Sequence, residues 1–344
     1  MIRKSLLLLL SAAAALLVCL FLSSPVQDSA QILAVNRQGG AVCTVWGASG
    51  AAAMLAVCVY AVISARKEKD LFAAVLCIAA GSALVFSRLC YCLANPDRYM
   101  TGYSLKEAIR GIINVKEGGF LFSGAALGAA LACLLISTVS RKYTFSQLAE
   151  KLLCPFLFVS AMLFAAESHT SAGRGPAAGS TEALFPFTVA GRFGKARYAV
   201  FMYESAVQFL MLALSVILHR REKRALLPVL LFTAALRVPL ITLNTGDVCT
   251  LGFLPFRGSG FVKTECAAAG AVLLICAVRA ATADKRKTAW LRPVLCAALI
   301  TCGILCIRAM DKTAISDTLL YLLLTASVVL SALCTLVPSP KKKI

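Results

Sequence analysis

The sequence predicts an all-α, polytopic membrane protein of about ten transmembrane helices, a span taking about 20 mostly apolar residues. Three observations carry that expectation. Of 344 residues, 60% are hydrophobic and the mean hydropathy is +0.83, above the roughly 45–50% apolar content of soluble domains. Apolar runs of spanning length recur along the whole chain. Basic residues gather in alternate connections, as the excess of Lys and Arg in cytoplasmic loops requires.

In chain order the spans are 6–22, 42–64, 71–93, 119–139, 148–166, 198–218, 225–243, 260–280, 290–307 and 318–337. The first follows Arg3 and Lys4, the charged start of a secretory signal. Val18 stands where a lipoprotein signal ending at Cys19 would carry a small residue, so the run reads as an uncleaved anchor. Arg66, Lys67 and Lys69 separate the next two spans, Arg141 and Lys142 the following pair. Arg220, Arg221, Lys223 and Arg224 come next, then Lys285, Arg286 and Lys287, and Lys341–Lys343 after the last. With Arg3 and Lys4 inside, every tight basic cluster falls on the cytoplasmic side, which puts both ends of the chain there. The net charge of +19 is therefore a topology signal and no nucleic-acid partner is expected. The terminal KKKI has the form of an ER-retrieval signal but reads as a basic anchor at the membrane edge.

The fifteen Cys residues lie mostly inside apolar runs. Only Cys90/Cys92 and Cys302/Cys306 are close together, without nearby His or carboxylate partners, so no metal or other cofactor is expected. Cysteine serves here as a small buried hydrophobe.

Two outer connections are long, 94–118 and 168–197. The first contains SLKEAIRGI, with Ser104 as N-cap and helical spacing, and reads as a short interfacial helix. The second is rich in Gly, Ser and Pro and reads as irregular. Between them lies KEGGFLFSGAALG, residues 116–128, where Gly118 and Gly119 open an apolar helix. Glycine there allows either an entry turn or close backbone approach to a ligand.

Charges inside spans are costly and by default mark a site. Arg88, Glu167, Glu204, Arg237 and Glu265 come from different helices yet share the outer half of the bilayer. Arg237 is followed by Pro239, which frees backbone carbonyls. Structural ion pairs and snorkelling explain any one of them; several in one leaflet predict a polar cavity. Guanidinium groups at that depth suit the phosphate of an anionic lipid headgroup, and a carboxylate beside them suits a base or an Arg anchor.

The stretch SRLCYCLANPDRY (87–99), followed by KEGGFLFSGAALG, resembles prolipoprotein diacylglyceryl transferase, a bacterial membrane family that lipidates lipoprotein precursors. Arg88, Tyr91, Asn95, Pro96, Gly118, Gly119, Phe122 and Gly124 stand at matching positions. RYAVFMYESAVQF resembles the family's Tyr-Glu motif through Arg197, Tyr203 and Glu204, and AALRVPLITLNTGD its late Arg-bearing helix through Arg237. The resemblance implies a seven-helix transferase-like core over 42–281, with 1–41 an added anchor and outer linker and 282–344 two added helices and a basic tail. It implies transfer of a diacylglyceryl group from phosphatidylglycerol, or another anionic lipid, to a lipobox cysteine in the bacterial inner membrane.

The resemblance and the charged residues on the outer side together suggest roles, Arg174, Glu167 and His169 without a family motif behind them. Arg88, Arg237, Arg197, Arg174, Tyr203, Gly118, Gly119, Ser123 and Gly124 are expected to bind substrate. Ser123 replaces the family's His, which helps activate the incoming thiol, so Glu204, Glu167 or His169 is expected to supply the base. Tyr198, Ile241 and Asn244 also depart from the family pattern, and FAAESHTSAGRG replaces its Arg-x-Gly-Asn stretch. Two other readings stay open: a lipid-binding relative that is inactive or uses another acceptor, and a membrane transporter.

Overall fold

The computed structural model describes residues 32–35, 41–64, 69–99, 104–113, 119–140, 142–169, 173–178, 182–191, 195–221, 224–244, 263–283, 287–310 and 317–336. The first expected span, 6–22, lies outside the described residues, as does Gly118. A short antiparallel pair, β1 (Ile32–Val35) and β2 (Ala41–Thr44), leads directly into α1 (Val45–Ser64). The long helices follow as α2 (Lys69–Ala94), α5 (Phe122–Ser140), α6 (Phe145–Ala166), α7 (Val200–Arg220), α8 (Leu226–Leu243), α9 (Thr264–Ala283), α10 (Leu291–Met310) and α11 (Asp317–Leu336). Two short helices, α3 (Pro96–Tyr99) and α4 (Leu105–Ile113), sit between α2 and α5.

Each expected span after the first contains one of these helices. Seven of these helices are long and apolar enough to cross a membrane, while the apolar stretches Val45–Tyr60 and Leu291–Ile307 are shorter. The protein is a multi-pass, all-α membrane protein. Leu55, Val85, Leu135, Leu210, Ile275 and Leu322 are exposed. A bilayer rather than water is the solvent that accepts such side chains.

Two apolar clusters organise the bundle. One joins α1, α2, α5 and α6 through Val57, Cys58, Val75, Leu76, Cys133 and Leu148. The other joins α8 and α9 to α10 and α11 through Leu231, Ala235, Leu273, Cys296 and Leu324. Between them, α6, α7 and α8 meet around Leu157, Met211 and Val229. α5 meets α2 at unusually close range. A Cβ on Gly124 would lie 2.6 Å from the Phe86 carbonyl oxygen, and one on Gly128 would lie 2.3 Å from that of Ser82. The four-residue spacing of these glycines is the small-xxx-small pattern that lets helix backbones approach in lipid.

Helix ends are satisfied by specific partners. Thr144 and Gln147 form a capping box at the start of α6, as the T-x-x-Q spacing predicts. Glu150 of α6 accepts from Ala225 and Leu226 N–H at 3.2 and 2.9 Å, capping α8 from a neighbouring helix. At the other end of α8, Lys263 Nζ donates to the carbonyls of Ile241, Thr242 and Asn244. A cation there also suits the negative end of the helix dipole.

The outer connection 168–197, expected to be irregular, instead contains the hairpin β3 (Thr188–Ala190) and β4 (Ala196–Tyr198), with an added bridge between Ala177 and Arg197. Thr188 and Val189 are β-branched and suit a strand. Their backbone groups pair with Arg197 and Tyr198, as part-buried backbone must.

Candidate functional site

Arg237 lies in α8 and is buried at 6% exposure. Its Nη1 donates to Glu265 Oε2 and its Nη2 to Glu204 Oε2, both at 3.3 Å. The guanidinium stacks over the Phe122 ring at 3.9 Å from the centroid and lies 5.3 Å from that of Phe164. Five helices therefore converge on one cation: α5, α6, α7, α8 and α9. An isolated charge at this depth is prohibitive, whereas one held by two carboxylates and two ring faces is not.

Glu265 has a second set of partners. Its Oε1 and Oε2 accept from the Ser123 N–H at 3.0 and 3.2 Å, and its Oε1 accepts from Ser123 Oγ at 3.2 Å. Ser123 is the second residue of α5, so the carboxylate sits on orphan N–H groups at a helix N-terminus, where negative charge is favoured. Sequence reasoning noted Glu265 as a buried charge and gave it no role. Its partner lies 142 residues away, and no spacing rule reaches that far.

Glu167 follows α6 as the first residue of a 3₁₀ turn, Glu167–His169. It is close enough to interact electrostatically with both Glu204 and Arg237. It also borders an apolar cavity of ≈ 210 Å³ between α1, α2, α5 and α6. Phe122 and Phe164, the rings beneath Arg237, form part of the wall, and Ala83, Leu76 and Met54 carry it inward. From Ser87 to Leu76 along α2 the lining covers about 16 Å at 1.5 Å per residue, roughly the depth of one leaflet.

Arg88 holds backbone carbonyls of the outer connection. Its Nε donates to the Ile112 carbonyl at 3.2 Å and its Nη2 to that of Gly111 at 3.0 Å, with Gly119 O at 3.5 Å from Nη1. Tyr99 stacks 5.0 Å from its guanidinium. The residue fastens the end of α4 and the turn at Gly119 to α2. Gly119 has φ +86°, and a Cβ on it would fall 2.1 Å from the Tyr91 ring; the turn requires glycine twice over. Gly124 is the α2 contact described above.

The remaining expected residues lie toward the outer hairpin. Arg174 Nη1 donates to the Ala190 carbonyl at 3.3 Å, and Tyr203 Oη donates to the Phe187 carbonyl at 3.0 Å. Arg197 is exposed on β4. His169 ends the 3₁₀ turn, with its side chain outside the described residues. Of the four arginines expected to bind substrate, Arg237 carries the ion pairs to Glu204 and Glu265 among the described residues. Among the described residues no group of three or more His, Cys, Asp or Glu could hold a metal ion.

A family model described as prolipoprotein diacylglyceryl transferase matches residues 33–276. No curated protein and no solved structure matches the chain.

Proposed function

The chain belongs to the prolipoprotein diacylglyceryl transferase family, and on that premise we propose that it moves a diacylglyceryl group from phosphatidylglycerol to the cysteine thiol of a lipobox-bearing precursor in a bacterial inner membrane. The family acts in lipoprotein maturation. The reaction forms a C–S bond, breaks the C–O bond to phosphate and releases glycerol phosphate. It needs a thiolate as nucleophile and fixed positive charge where the phosphate departs.

One observation supports the reading most strongly: Arg237 stands at the boundary between the acid cluster and the apolar cavity, stacked on two rings that wall that cavity. A lipid with an anionic headgroup and an apolar tail matches both halves. Two of the five guanidinium donors serve carboxylates, while Nε is buried without a hydrogen-bond partner among the described residues. A departing phosphate oxygen is a fitting acceptor. Glu204 holds the guanidinium in place, and Glu167, another carboxylate of the cluster or His169 receives the thiol proton. Arg174, Arg197, Tyr203 and the turn at Gly119 frame the outer approach.

A second reading keeps the lipid and loses the reaction, and Ser123 in place of an imidazole favours it. Purified protein given phosphatidylglycerol and a lipobox peptide separates the two. The first reading predicts a peptide carrying the diacylglyceryl mass on its cysteine by mass spectrometry. Retained lipid binding with no modified peptide overturns it in favour of the second.

A further inference from the structure

Resting on the transferase reading above, we propose that Ser123 and Glu265 form a two-residue proton relay that takes the proton from the incoming thiol. Ser123 Oγ lies 3.2 Å from Glu265 Oε1, within reach of a proton passed along a hydrogen bond. The same carboxylate is fixed by the Ser123 N–H and by Arg237, so it has one orientation, with one oxygen toward the hydroxyl. Exposure differs between the two. Glu265 is buried at 9%, whereas Ser123 is only half-buried, so an incoming group meets the hydroxyl first and the carboxylate stands behind it. Phe122, the residue before Ser123 on α5, walls the lipid cavity and carries the Arg237 guanidinium on its ring. That sets Ser123 one residue from the ring where cavity and cation meet.

In the step, the S–H bond breaks and its proton passes to Ser123 Oγ while the serine proton passes to Glu265 Oε1. The thiolate pair forms the C–S bond to the glyceryl carbon. The C–O bond breaks, and its electron pair leaves with the glycerol phosphate. Glu265 then returns its proton to solvent through Ser123. Among the described residues, Arg237, Glu204, Glu167, Cys90, Cys266 and Lys263 are charged or titratable groups that act on this carboxylate or its neighbours. The competing role for Glu265 is to cap α5 and no more.

The test compares wild type, Glu265→Gln, Ser123→Ala, Ser123→His and Ser123→His/Glu265→Gln in the thioether assay over a range of pH. Glutamine keeps an acceptor for the Ser123 N–H but cannot take a proton at neutral pH. The relay predicts a loss of about 100-fold or more for Glu265→Gln, the size of a general-base contribution, and a loss of the same order for Ser123→Ala. It also predicts recovery in the double variant, where an imidazole makes the carboxylate unnecessary, with the acid limb of the profile at about pH 6.5. Wild-type turnover in Glu265→Gln overturns the relay, as does loss in that variant with no recovery in the double variant and full turnover in Ser123→Ala. A wild-type chain without product overturns the transferase reading instead, so the two failures are distinct.

Discussion

Arg237 neutralises two buried carboxylates and covers two aromatic rings, so its removal strands Glu204 and Glu265 together in the bilayer. Breaking one partner out of a buried ion pair costs about 3–5 kcal/mol. Arg237→Ala is therefore expected to lower the thermal midpoint in detergent and to abolish transfer. Arg237→Lys keeps the charge without the fork that reaches both acids; transfer is expected to fall about 100-fold or more, with the protein still inserted. Gly119→Ala meets both a positive φ and the Tyr91 ring. It is expected to destabilise by more than the roughly 1–2 kcal/mol of left-handed backbone strain alone, read as a lower unfolding midpoint. These residues differ in how well the sequence announces them. Arg237 is visible because a charge in an apolar run is expensive, and Gly119 because a glycine pair interrupts one. The Ser123–Glu265 bond is invisible because it joins the N-termini of two helices distant in the chain. Arg88 is visible as a charge but not in its task, since its partners are backbone carbonyls that any sequence offers.

At the level of single elements, α4 is the most self-explanatory. Ser104 and Glu107 cap it reciprocally, with Ser104 N–H and Oγ donating to Glu107 Oε2 at 2.9 and 2.7 Å. Those bonds, the hydroxyl first, hold the Glu107 carboxyl below the usual carboxylate range. A lowered carboxylate stabilises above its unfolded value of about 4.3 and loses that contribution as pH falls through its folded value. Protection factors over 105–113, corrected for the intrinsic pH dependence of exchange, are therefore expected to fall on acidification below about pH 4 and to stay unchanged between pH 6 and 8. Leu105, Ile109 and Ile113 are exposed along one face, which fits a helix lying at the membrane surface. Arg88→Ala is expected to quicken exchange in the same segment by releasing its last carbonyls. Faster exchange confined to other segments would contradict that. Helix ends along the bundle are legible from apolar runs and basic clusters to within a few residues. The β3–β4 hairpin is not, because strands of three residues set in a Gly-rich loop carry too little periodicity to register.

For the molecule as a whole, the membrane class and the succession of apolar helices follow from composition and hydropathy pattern. The convergence of five helices on Arg237 does not, because helix pairing in lipid depends on surface shape that a hydropathy pattern does not encode. α10 and α11 share a core with α8 and α9, the helices that carry Arg237 and Glu265. We propose that this added pair braces the site from behind. A chain ending after α9 is expected to unfold at a lower temperature and to lose transfer even where it inserts; full activity in that truncation would make the pair dispensable. The central claim is that the acid–arginine cluster and the apolar cavity together cleave an anionic lipid only as they lipidate a thiol. It is tested most directly by following glycerol phosphate released from head-labelled phosphatidylglycerol in the presence of lipobox peptide. The account predicts one glycerol phosphate for each thioether formed, with neither product from a Cys→Ser peptide or from Arg237→Ala. Release without peptide, or equal release from Arg237→Ala, would contradict it.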